Sequence, residues 1–225
     1  MPLYLPSTDE GQMHIIETVS DLEGGMAELI GLDRRFEEIA AQTGIPPLRR
    51  AKAGYAGLLK IIAGQQVSKA SAAAIWARME NVLDPLAPEH LQGLNEAAFR
   101  EAGLSGPKIR AVQALTEEVL SGRLDLTSLE HLGDDEVTRE ITAVKGLGPW
   151  SAEVYLLACL GRSDAWPSGD LALQIAAQDA LILSARPSTK EMISLAESWR
   201  PWRAVAARIL WAHYALQLGK QDQGM

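Results

Sequence analysis

Apolar side chains return every three to four positions through most of the chain, the spacing that lines them along one stripe of an α-helix. Ile109, Val112, Leu115 and Val119 form one such stripe, Val137, Ile141 and Val144 a second, and a third run closes on Ile182 and Leu183. Strict two-residue alternation is nearly absent, so strands are not expected. Turn-forming residues punctuate the pattern at Gly44-Ile45-Pro46-Pro47, Asp84-Pro85-Leu86-Ala87-Pro88, Gly103-Leu104-Ser105-Gly106-Pro107, Gly146-Leu147-Gly148-Pro149 and Trp166-Pro167-Ser168-Gly169. The pattern predicts an all-α protein of about ten helices, without tandem repeats and with a frayed tail in GKQDQGM.

With 225 residues and 47% hydrophobic content, the chain can bury a core for one domain or for two packed ones. No apolar run approaches the roughly 20 residues that span a bilayer, and MPLYLPSTDEGQ lacks the basic-then-apolar pattern of an export signal. A cytoplasmic protein making no membrane contact is the expectation. The single cysteine, Cys159, lies in the apolar run VYLLACL, which excludes an internal disulfide framework or a cysteine-rich metal cage. His14, His90, His131 and His213 lack zinc-ligand spacing. The formal charge of −8 argues against nucleic acid until its distribution is examined. Residues 1–40 hold nine acidic and two basic side chains, a net −7, so the remaining chain is nearly neutral and has room for a local basic face.

Candidate chemistry begins in EITAVKGLGPWSAEVYLLACLGR, residues 140–162: a helix, a tight turn with glycines at 146 and 148, and a second helix opening at Pro149. Such glycines bring the backbone close to a ligand, and N–H groups at the following helix start favour an anion. The same pattern also serves as an ordinary connection between two helices. Downstream, Pro167-Ser168-Gly169 stops one element and Asp170 stands just before the helical run LALQIAAQDALIL. An Asp there is suited to capping the helix. A fixed carboxylate is also suited to stabilising positive charge on a sugar during glycosidic cleavage, and the two roles are compatible.

TAVKGLGPWSAEVYLL followed by DAWPSGDLALQ resembles the helix-hairpin-helix and Pro-Gly-Asp signature of the DNA glycosylase superfamily. AGQQVSKASAAAIWARM (63–79), GLSGPKIRAVQAL (103–115) and SWRPWRAVAARILWAHY (198–214) resemble, in matching order, segments of its 3-methyladenine DNA glycosylase II branch. The resemblance covers roughly residues 55–215 and is to the compact form, without an additional amino-terminal β-rich domain. It implies two helical subdomains with the active-site cleft between them. One is a six-helix unit over 53–158 containing the helix-hairpin-helix (about 136–158). The other combines 1–52 with 159–225.

The resemblance further implies a monomeric enzyme that flips an alkylated base out of duplex DNA, hydrolyses its N-glycosidic bond with Asp170 as the catalytic carboxylate, and leaves an abasic site. Bifunctional relatives place a lysine nucleophile where this chain has Trp150, and indole cannot form a Schiff base. Trp150, Tyr155, Trp199 and Trp202 are the candidates for a pocket that stacks on an electron-poor base, with core packing as the alternative for each. The family's second pocket aromatic falls at Val154. Gln66 occupies the position of the wedge that fills the gap left by the flipped base. Lys145, Gly146 and Gly148 are the expected phosphate contacts. The carbonyls of Thr142, Val144 and Leu147 are the implied ligands of a structural monovalent cation, Na+ or K+, and no other cofactor is expected. Three other readings stay open: a bifunctional oxidised-purine glycosylase/lyase, a non-catalytic helix-hairpin-helix DNA-binding module, and a helical hydrolase of small molecules.

Overall fold

The computed structural model describes residues 14–223, and the expectation for the GKQDQGM tail falls partly outside them. The described residues form twelve α-helices joined by short turns, with one isolated antiparallel bridge between Ile15 and Arg162. The helices are α1 (Val19–Leu32), α2 (Arg35–Thr43), α3 (Tyr55–Gly64), α4 (Lys69–Val82), α5 (Pro88–Gln92), α6 (Glu96–Glu101), α7 (Gly106–Leu120), α8 (Asp134–Ala143), α9 (Pro149–Val154), α10 (Leu171–Ala180), α11 (Thr189–Ala196) and α12 (Arg203–Gln223). From Tyr155 to Leu160 the backbone continues α9 as a π-helix, ended by Gly161 at a φ of 74°. No helix of the described residues is long and apolar enough to cross a membrane.

Local sequence explains where these helices start. Thr18, Ser68, Asn95, Asp170 and Ser188 each accept a backbone N–H of the first turn of the following helix, and prolines sit in the first turns of α5, α7 and α9. The predicted stripes are the buried faces: Ile109, Val112 and Leu115 on α7, and Val137 and Ile141 on α8. The run ending at Ile182 and Leu183 differs from expectation. Helix α10 stops at Ala180, and Ile182 is 92% exposed with a left-handed φ of 55°.

Packing separates the helices into two groups. Helix α12 lies against α1, α2 and α10, whereas α3 packs on α4, α7, α9 and the π-helical segment, with α5 and α6 against α7 and α8 against α9. Backbone bonds from Ile16 N to Gly161 O (2.7 Å) and from Ala51 N to Ala158 O (2.9 Å) join both crossings at the π-helix. Arg162 is buried there and donates to the carbonyls of Glu130 (3.0 Å) and Leu132 (2.9 Å), tying the entry to α8 to the exit from the π-helix.

Candidate active site

Asp170 caps α10 and accepts bonds from three different helices. Its Oδ1 takes the N–H of Leu173 (2.9 Å) and the indole N–H of Trp211 on α12 (3.2 Å), and its Oδ2 takes the indole N–H of Trp150 on α9 (2.8 Å). A carboxylate offers about four lone-pair positions, so one acceptor position on Oδ2 stays available. The carboxylate sits where the hairpin helix of one group meets α10 and α12 of the other. One side chain thus caps α10 and ties it to α9 and α12.

The hairpin runs from α8 to α9 through Val144–Gly148. Leu147 N donates to Val144 O (3.0 Å), closing the turn, and Gly146 has a φ of 94°. A Cβ at Gly146 would stand 2.7 Å from that of Ala111 on α7, so only glycine fits there. A Cβ at Gly148 would meet open space. The N–H groups of Gly146 and Gly148 donate to no backbone carbonyl of the described residues, and Lys145 is exposed beside them. Such a turn presents free donors and a cation on one edge, which is what an anionic backbone requires.

Gln65, which sequence reasoning passed over, braces this hairpin: its Nε2 donates to Gly146 O (3.0 Å) and Ser151 Oγ (3.1 Å). Lys108, buried on α7, donates to Ala63 O (2.8 Å) in the last turn of α3, and burial lowers its pKa. Between these braces Gln66 projects from the α3–α4 turn, exposed, with a left-handed φ of 54° beside exposed Val67. Glu153, one turn along α9 from Trp150, is half-buried. Burial pushes its pKa up to about 7, with Arg203 and Ser168 opposing the shift.

The four candidate aromatics separate. Trp150 is half-buried at Asp170, where its indole edge holds the acid. Trp199 corrects the sequence expectation: it is fully buried, bonded through its N–H to Asp33 (2.9 Å) and edge-packed on Phe36 and Trp166, so its faces are closed to a base. Tyr155 is likewise enclosed, its hydroxyl accepting Gly54 N–H (2.9 Å), and it does not replace the aromatic absent at half-buried Val154. Trp202 packs on His14 and α1, lining a cavity of about 400 Å³ with Asp21 and Glu28 that includes none of the residues around Asp170. The missed ring is Trp211, half-buried and bonded to the acid. Its only sequence signal was a tryptophan inside the quoted segment RILWAHY.

A hairpin shaped for phosphates beside a multiply held carboxylate defines a class of protein that acts on the sugar–base part of a nucleic acid. Residues 59–201 match the family model described as "HhH-GPD superfamily base excision DNA repair protein", and the chain belongs to that family. It is 27% identical to DNA-3-methyladenine glycosylase 1 of Schizosaccharomyces pombe over 87% of this chain and 89% of that protein. Among solved structures it is similar to the S. pombe 3-methyladenine DNA glycosylase in complex with abasic DNA (TM-score 0.78, 26% identity, 84% of this chain and 95% of that one). It is also similar to a DNA-3-methyladenine glycosidase from Bacillus halodurans (TM-score 0.73, 28% identity, covering 92% and 94%).

Proposed function

We propose that this chain is a monofunctional DNA glycosylase that flips alkylated bases of the 3-methyladenine type out of duplex DNA and hydrolyses their N-glycosidic bonds. The observation that carries this reading is Asp170, fixed by two indole N–H groups and a backbone N–H beside a phosphate-shaped hairpin, with one acceptor position left on Oδ2. As the C1′–N bond breaks, its electron pair leaves with the base and positive charge grows on the sugar, where the held carboxylate stabilises it. Water then adds to C1′ and yields its proton to Oδ2, giving free base and an abasic sugar in an uncut strand. Trp150 at the hairpin offers an N–H donor where a lyase needs an amine.

In the same reading Gln66, with Val67, fills the space left by the flipped base, and Lys145 and the N–H groups of Gly146 and Gly148 hold phosphates. The carbonyls of Thr142, Val144 and Leu147 suit a sodium or potassium ion that neutralises a phosphate, since Val144 O gives only one lone pair to Leu147 N–H. The protein works as a monomer, and hydrolysis needs no other cofactor.

The test is single-turnover incubation with duplexes carrying 7-methylguanine, hypoxanthine or ethenoadenine, read before and after alkali, with borohydride added in parallel. Breaks that need alkali, with no trapped protein–DNA adduct, are expected. Efficient borohydride trapping would make the enzyme a lyase, and no abasic product from any duplex would leave a non-catalytic DNA-binding module.

A further inference from the structure

Arg49, in the loop between α2 and α3, has a left-handed φ of 51°. Non-glycine residues rarely adopt that conformation, and it concentrates where a structure puts strain to use. The guanidinium carbon stands 5.5 Å from the ring centroid of Trp211, the same indole whose N–H is bonded to Asp170. Asp170 is the acidic group whose field reaches Arg49, although the two form no ion pair, and burial lowers the Arg49 pKa.

The backbone that carries Arg49 is itself pinned. Arg208 is buried on α12, one turn before Trp211, and its Nε donates to Leu48 O (3.1 Å), the carbonyl of the peptide bond leading into Arg49. Its other nitrogens go to Ala204 O (3.0 Å) and Leu157 O (3.0 Å). Arg50 follows Arg49, and both charges oppose Arg208. None of these three arginines has a carboxylate in ion-pair contact among the described residues. In a chain of net charge −8, three unneutralised guanidinium groups gathered at one loop attract an anion.

We propose that Arg49 grips a backbone phosphate of the nucleotide whose base is excised, and so presses that nucleotide's C1′ against Asp170. The proposal rests on the glycosylase reading. With C1′ on the carboxylate, the phosphates of the same nucleotide lie about one sugar width away. The planar fork of Arg matches two phosphate oxygens. A methylated, cationic base would be repelled by it. Trp211 serves as a rail that keeps the guanidinium flat and turned toward the cleft.

The experiment compares wild type, Arg49→Gln and Arg49→Lys on lesion duplexes in which the phosphate 5′ or 3′ of the lesion is replaced by a neutral methylphosphonate. One replacement should slow wild-type single-turnover excision by ~10- to 100-fold, the loss of a charge-assisted contact. Arg49→Gln should be slowed similarly on the native duplex and suffer no further at that linkage, with Arg49→Lys between. Additive losses at both linkages, a defect confined to one lesion base whatever the linkage, or normal excision by Arg49→Gln would each overturn the clasp. Should Arg49→Gln fail a thermal melt, the wild-type linkage scan and Arg49→Lys decide, and wild type indifferent to both linkages overturns it. Wild type excising no base from any duplex would instead defeat the glycosylase reading itself.

Discussion

Asp170 serves three donors at once, so its replacement acts on fold and chemistry together. In Asp170→Asn the remaining oxygen still caps Leu173, but the new NH2 faces an indole N–H and at least one bond is lost. A loss of about 1 kcal/mol lowers the melting temperature of a chain this size by roughly 2–4 °C. If the negative charge supplies roughly 3–4 kcal/mol in the transition state, single-turnover excision falls by two to three orders of magnitude. Near-normal excision would remove Asp170 from the mechanism, and a collapsed melt would reduce it to a cap. Trp199→Phe should do the reverse: it loses the bond to Asp33, which Arg35 still holds, so the melt drops while excision per folded molecule stays normal. Slowed excision at an unchanged melt would return Trp199 to the pocket. The cap at Asp170 was legible in the sequence because a Pro-Ser-Gly stop isolates it just before a helical run. The tryptophans were not, because a ring in a matched segment reads the same whether it faces a cleft or the core. Arg49 gave no pattern at all: its meaning lies in a backbone angle and a neighbour 162 positions away.

Helix α9 carries both the indole that holds the acid and Glu153, which meets the loop delivering it. Because burial raises the Glu153 pKa from 4.5 to about 7, the folded state binds more protons than the unfolded state between those values. Stability from this group is therefore lost as pH rises through that window, and stays lost above it. Glu153→Gln should melt higher than wild type at pH 8, with the gap closing toward pH 4.5, and melting curves across that range measure it. A gap that does not change with pH would mean that the carboxyl is solvated in the folded protein. At this scale the hairpin was well marked, since glycine is demanded at 146 by a positive φ and by Ala111. Its braces were not, because Gln65 and Lys108 bond to backbone carbonyls, which leave no trace in a sequence. The continuation of α9 as a π-helix through Leu160 was equally hidden, as its residues suit an ordinary helix.

For the molecule as a whole, a net charge of −8 and DNA binding are reconciled locally, by the exposed Lys145 and the free N–H groups of the hairpin turn. Residues 17–38 carry seven acidic side chains against Arg34 and Arg35, and α1 and α2 pack on α12, in the other helix group from the hairpin. Affinity for lesion duplex should fall with salt, log affinity against log salt having a slope of about −0.9 per neutralised phosphate. Titrations at several ionic strengths measure that slope, and a flat response would mean that the hairpin is only a tight turn. The acidic side chains of α1 and α2 also bear on how the protein meets a duplex. A duplex that approaches those helices meets like charge, whereas one that approaches the hairpin turn meets Lys145 and free N–H donors. Encounters are thereby filtered by orientation, and those led by the acidic helices are the shorter-lived.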